Sequence, residues 1–191
     1  MEALNMNIKG SSFVTTKAII TEAFGEERWD SFHTDLIQKD GFFNNMIMSI
    51  TLIPVEKMIV FFNELCREFF NNDKTQYAMF GKSGAKFVLS PTGPYKSYML
   101  AKDARQFVEL NMPKIWSTYF DGGTFTANFD NQAAHITITG IPVKNNYFEE
   151  LVMGFNQQAL KIFGEKTTAV KVRSIAAGDG DFRFQLKLKD S

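Results

Sequence analysis

Four apolar residues alternating with four polar ones near the end of the chain restrict its fold more than any other feature. Phe182, Phe184, Leu186 and Leu188 interleave with Arg183, Gln185, Lys187 and Lys189. A period of two puts the first set on one face of a strand and the second on the other. Just upstream, Val170 and Val172 alternate with Lys171 and Arg173, and Gly178-Asp179-Gly180 offers a turn tolerant of positive φ. The pattern predicts a β-hairpin over 167–190. Its apolar face needs a covering layer, because a hairpin does not stand alone in water.

The upstream chain supplies that layer. Residues 1–12 are polar and loosely patterned. A helix is expected over 13–24, ended by Gly25. Trp29, Phe32, His33, Leu36 and Ile37 make the stripe of a second helix, closed by Gly41. Pro54 suits a first helical turn, and Met58, Phe61, Phe62, Leu65, Cys66, Phe69 and Phe70 form the next stripe. A helix over 74–89 carries Gly81 and Gly84 on or beside its stripe, so either another backbone comes close or the helix breaks there. After a Pro91–Pro94 loop, a helix over 98–111 is expected, and Pro113 starts or kinks the next one.

From Gly123 the period changes. Phe125, Ala127 and Phe129, a turn at Asp130-Asn131-Gln132, and then Ala134, Ile136 and Ile138 predict a hairpin over 123–140. The longest helix, 146–163, opens on a capping-box-like Asn146 and Glu149. Its stripe runs through Phe148, Leu151, Val152, Phe155, Ala159, Ile162 and Phe163 to Gly164. The expected architecture is α+β: a twisted antiparallel sheet of about four strands against several helices, in a single domain over 1–191. Its helical part is 13–120.

Twenty-one basic and 21 acidic residues cancel, which removes the electrostatic reason to expect nucleic acid or an anionic membrane as partner. The single Cys66 can form neither an internal disulfide nor a thiolate metal cluster, and fits a reducing compartment. No secretion signal is visible, and the most apolar window, 46–62, is interrupted by Pro54, Glu56 and Lys57. A cytoplasmic protein without an integral membrane segment is expected. Twenty phenylalanines fill the core or line a cavity for an apolar ligand.

Chemistry-bearing residues are sparse. His33 lies on a helical stripe and His135 on the threonine face of a strand, and neither has a second metal ligand at a suitable spacing. Their sequence context assigns them no function. Cys66 among phenylalanines reads as a buried, inert thiol. Gly178-Asp179-Gly180-Asp181 lacks the rest of a calcium loop. Glu149 and Glu150 diverge on a helix and suit its N-terminal dipole. Tyr98, Phe107, Trp116, Tyr119 and Tyr147 remain as candidate ligand-binding residues, since Tyr and Trp bring polar tips into apolar surroundings. No catalytic residue, metal site or cofactor is expected.

The opening Ile8-Lys9-Gly10-Ser11-Ser12-Phe13, the helix ended by Phe24-Gly25-Glu26-Glu27, and the closing Ala177-Gly178-Asp179-Gly180-Asp181-Phe182-Arg183-Phe184 resemble the 4-vinyl reductase-like ligand-binding domains. They are more similar still to an uncharacterised myxobacterial-type paralogous family. The resemblance implies a fold shared with haem-based nitric-oxide sensors and with subunits of the TRAPP tethering complex, often dimeric. Such domains hold small apolar molecules and act as sensors or scaffolds. Metal-binding cysteines of the 4-vinyl reductase-like domains have no counterpart at Ala176, Ala177, Asp181 or Phe184. The haem sensors' axial His with a Tyr-x-Ser-x-Arg run is matched only in part by Tyr95-Lys96-Ser97-Tyr98-Met99. The expected function is therefore a non-enzymatic regulatory domain holding an apolar small molecule between helices and sheet. The alternative is a dimeric protein-interaction module with a filled core, and an enzyme of unknown class ranks third. A homodimer or a partner protein is expected.

Overall fold

A computed structural model describes residues 6–130 and 132–189. The chain divides into two compact units, one over Asn7–Gln76 and the other from Tyr77 onward together with Met6.

The first unit contains β1 (Asn7–Lys9), α1 (Ser11–Phe24), α2 (Glu26–Lys39), a 3-10 turn (Gly41–Asn44), β2 (Leu52–Pro54) and α3 (Val55–Phe69). Gly25, at φ 92°, ends α1 as expected. Asp40 closes α2 one residue before Gly41, because its carboxylate accepts the Phe42 N–H and starts the 3-10 turn. The short strands β1 and β2 pair antiparallel, Ile8 opposite Ile53, and correct the expectation of a loosely patterned start. Pro54 ends β2 directly before α3; its extended ψ of 133° keeps it out of the first helical turn. Phe13, Trp29, Phe32, Phe43 and Phe61 form one aromatic core, with Phe13 and Phe61 centroids 4.7 Å apart. In this unit the phenylalanine excess fills a core.

The second unit contains α4 (Gln76–Val88), a 3-10 turn (Lys96–Leu100), α5 (Ala104–Gln106), a π-helical segment (Phe107–Asn111), α6 (Met112–Tyr119), β3 (Thr124–Phe129), β4 (Ala133–Thr139), α7 (Asn146–Phe163), β5 (Thr167–Arg173) and β6 (Phe182–Leu188). The two expected hairpins join through β4 and β6 into one antiparallel sheet of order β3-β4-β6-β5. Ile136 lies opposite Phe184, and Ile138 opposite Phe182. Phe125, Phe129, Ile136, Ile138, Phe182, Phe184 and Leu186 are all buried on its inner face.

Strand β5 inverts its expected polarity. Val170 and Val172 face solvent, while Lys171, in register with Phe184, points to the inner side. There it meets carboxylates at the start of α7. An inward charge on an edge strand also disfavours pairing with another chain.

The helix expected over 98–111 begins instead at Ala104, because Asp103 caps it by accepting the Gln106 N–H at 2.8 Å. A wide turn follows, in which Met112 N–H reaches the Phe107 carbonyl. It lies immediately before Pro113, which has no N–H to give the preceding turn. Helix α7 is capped by Asn145, which accepts from Phe148 N–H, so Asn146 and Glu149 do not form the expected capping box. Gly164 ends it at φ 119°.

The glycines of α4 report a close approach, not a break. A Cβ on Gly81 would collide with the Leu151 carbonyl of α7, and one on Gly154 with the Ala78 carbonyl of α4. Gly84 faces only the Phe155 ring, 3.9 Å from its added Cβ. Gly154→Ala is therefore expected to cost about 1–3 kcal/mol through forced separation of the helices. Gly84→Ala should be neutral, or stabilising by up to about 1 kcal/mol. Chemical denaturation of the two variants checks the contrast.

Candidate functional site

The segment joining α4 to α5 folds back on the end of α7 and leaves a pocket of about 530 Å³ in the second unit. Leu89, Pro91, Met99 and Leu100 form one wall and Ile162 and Phe163 the other. Lys96 and Ser97 supply its polar lining. Its volume is that of a small-molecule site, and its lining is mainly apolar.

Local hydrogen bonds hold the first wall in place. Tyr95 N–H donates to the Val88 carbonyl at 2.9 Å, closing the loop onto the end of α4. The 3-10 turn turns Tyr98 away from the pocket, where its hydroxyl lies 3.1 Å from the Thr118 hydroxyl of α6. Asn111, at the end of the π-helical segment, donates its side-chain N–H to the Tyr98 carbonyl at 2.6 Å. On the opposite wall Phe163 stacks on the buried ring of Phe107, centroids 4.9 Å apart and planes 6° from parallel.

The five aromatic candidates thus occupy three places. Tyr98 and Phe107 support the two walls of the pocket. Trp116 and Tyr119 belong to the core: Trp116 stacks on Phe120 at 4.1 Å and donates its N–H to the Gly122 carbonyl, and Tyr119 meets Tyr95 and Phe155 edge-on. Burial, with Tyr95 beside it, pushes the Tyr119 phenol far above its ordinary pKa. Tyr147 packs against Tyr77 at 5.7 Å and is partly exposed. Sequence reasoning missed Lys96, Met99 and Leu100, and assigned Ile162 to a buried stripe although it is 36% exposed. The Asp103 cap was the available signal, since it ends the helix after these residues and leaves them in a loop.

Both histidines are held by hydrogen bonds within the fold. His33 donates from Nε2 to the Phe43 carbonyl at 3.1 Å and stacks on Trp29. His135 lies 2.7 Å from Asp130, on the polar side of β4. Backbone donation from Gln132, then His135 and Ala133 N–H, lower the Asp130 carboxyl to about 2. Burial pushes the Cys66 thiol up to about 11. Asp179 accepts the Ser174 N–H and lies beside Arg173, which together hold its carboxyl below the usual range. The calcium-like fragment is thus a turn whose carboxylates face Arg173 and Arg183. Among the described residues no group of three or more His, Cys, Asp or Glu side chains could hold a metal ion.

No protein-family model matches the chain, and no curated protein matches it. Solved structures do. A Tt H-NOX variant superposes with a TM-score of 0.69 at 14% identity, covering 96% of both chains. The fold is that of H-NOX domains. A mutant H-NOX protein from K. algicida, in the Fe(II) unliganded state, gives 0.67 at 12% identity, covering 96% of this chain and 98% of that one. An H-NOX protein from S. oneidensis in the Fe(II)NO ligation state gives 0.66 at 11%, covering 96% and 100%. Among the described residues, no helix is long and apolar enough to cross a membrane.

Within this H-NOX fold, the most deeply buried carboxylate among the described residues is Glu149, only 2% exposed in the first turn of α7. Its carboxylate accepts from Lys171 Nζ at 3.0 Å, the Ser174 hydroxyl at 2.8 Å and Ala176 N–H at 3.1 Å. Lys171 also reaches Glu150 at 2.8 Å, so the two glutamates expected to diverge converge on one ammonium. Removing that ammonium leaves a buried carboxylate short of its countercharge. Lys171→Met should destabilise the fold by about 2–4 kcal/mol. Adding Glu149→Gln to it should recover part of the loss, as measured by thermal unfolding of both variants.

Proposed function

We propose that the chain is a non-enzymatic ligand-binding or regulatory domain of the H-NOX fold, which takes an apolar small molecule and does not take haem. The observation that carries this reading is the mainly apolar pocket of about 530 Å³ beside α7. The groups with displaced pKa values fit this reading, because none of them lines the pocket: Asp40, Glu64, Cys66, Asp73, Tyr119, Asp130 and Asp179. An active site would converge several such groups in one cleft.

The H-NOX structures from K. algicida and S. oneidensis are described in Fe(II) states. The histidines, Cys66 and Tyr119 of this chain do not suit haem ligation. Haem iron is anchored chiefly by His, a Cys thiolate, Met paired with His, or Tyr. The Nε2 of His33 is committed to the Phe43 carbonyl, and His135 is held by Asp130 and Gln185 on the polar face of the sheet. Burial raises the Cys66 thiol and the Tyr119 phenol further above neutral pH and disfavours the anionic forms that bind iron.

A second reading is a protein-interaction module, favoured by Met46, Met48, Ile50 and Leu52, all exposed in the segment before α3. In either reading the protein works in the cytoplasm.

One preparation tests the proposal. Protein purified from cells fed with a haem precursor should show no Soret band, and its solvent extract should contain an apolar molecule at near-stoichiometric amount. A stoichiometric Soret band that shifts with nitric oxide would overturn the haem-free reading. A ligand-free tight dimer in sedimentation would favour the interaction module.

A further inference from the structure

The geometry points to a single-chain amphiphile with one anionic head group as the occupant of the pocket between the 89–100 segment and the end of α7, with Lys96 holding the head. This rests on the reading of that pocket as the ligand site, and adds the chemistry of what enters it.

The shape and lining separate into two parts. The tail of such a molecule meets Met99, Leu100, Ile162 and Phe163, none of which offers a side-chain hydrogen bond. Leu100 is 84% exposed and Ile162 36%, so apolar surface now facing water would be covered on binding. The head meets Lys96, the charged residue of the lining, with Ser97 beside it. Most basic groups of this chain that the structure pairs face carboxylates, as Lys39, Lys57, Lys171 and Arg183 do. Lys96 makes no such ion pair among the described residues, and it is exposed at the pocket rim, where an incoming anion can reach it. A cationic amphiphile would meet a like charge at the pocket rim, and a neutral one would leave the ammonium without a countercharge.

The site is also organised before any ligand enters. The Tyr95 N–H to Val88 carbonyl bond and the Asn111 to Tyr98 carbonyl bond brace the backbone on either side of Lys96 and Ser97. The opposite wall is fixed by the Phe107–Phe163 stack. A braced wall lowers the ordering cost of binding.

Calorimetric titration of the full chain with decanoate, decanol and decyltrimethylammonium tests the inference, each kept below its micellar concentration. Decanoate should bind saturably to one site, about fivefold more tightly than decanol, with no binding of the cation. Lys96→Met should weaken decanoate about fivefold at low salt and leave decanol unchanged, and the difference should shrink at high salt. From hexanoate to decanoate, each added CH2 should tighten binding about threefold to fourfold. Ile162→Trp, at a half-exposed position that accepts a larger side chain, should abolish binding while thermal unfolding stays cooperative. Equal affinities for decanoate and decanol, unchanged by Lys96→Met, would overturn the anionic head and leave the apolar pocket standing. No binding of any probe, or decanoate binding indifferent to Ile162→Trp, would overturn the pocket as well.

Discussion

Burying a carboxylate costs several kcal/mol unless charge and hydrogen bonds replace the water it loses, and at Glu149 three donors do so. Much of the second unit follows from that requirement. Lys171 must face inward to reach Glu149, which turns the two valines of β5 outward. Ser174 and Ala176 must lie at the same spot, which fixes where the chain leaves β5. The first turn of α7 is thereby pinned to the sheet. Farther along, Gly154 and Gly81 allow α4 and α7 to approach backbone to backbone. About 20 Å from Glu149, at 1.5 Å per residue, the same helix delivers Ile162 and Phe163 to the pocket wall. The end of α4 delivers Leu89 to the other.

Sequence pattern and structure agree where a segment's own periodicity decides its orientation. Phe182, Phe184 and Leu186 face the core as their alternation demands, and β4 pairs beside them with Ile136 and Ile138 inward. Strand β5 has an equally regular alternation with the opposite phase, because the partner that sets it, Glu149, lies 22 residues before Lys171 in the chain. No local pattern carries that information. The strands β1 and β2 are three residues each, too short for any period to register. The start of α5 is locally written in Asp103 and Gln106, whereas the helix expected from sequence begins at Tyr98, after the Pro91–Pro94 loop.

The site was legible in its supports more than in its surface. Tyr98 and Phe107 stand out as aromatics, and they brace the walls from behind. Trp116 and Tyr119 stand out equally, yet serve the core between α6, β3 and α7. The surface itself comes from Lys96, Met99 and Leu100, whose loop has no periodicity. Their role depends on the tertiary return of the chain onto α7. Function is less legible: the fold is shared with H-NOX domains, while the two histidines, His33 and His135, are hydrogen-bonded within this chain.

The most direct test of a ligand pocket at the end of α7 is a methyl NMR spectrum of protein labelled at methionine, titrated with decanoate. Met99 lines the pocket, whereas Met46 and Met48 are exposed in the first unit. The account requires the Met99 methyl resonance to move saturably with a one-site dependence while those of Met46 and Met48 stay in place. A Met99 resonance that never moves, or uniform movement of all three, would contradict it.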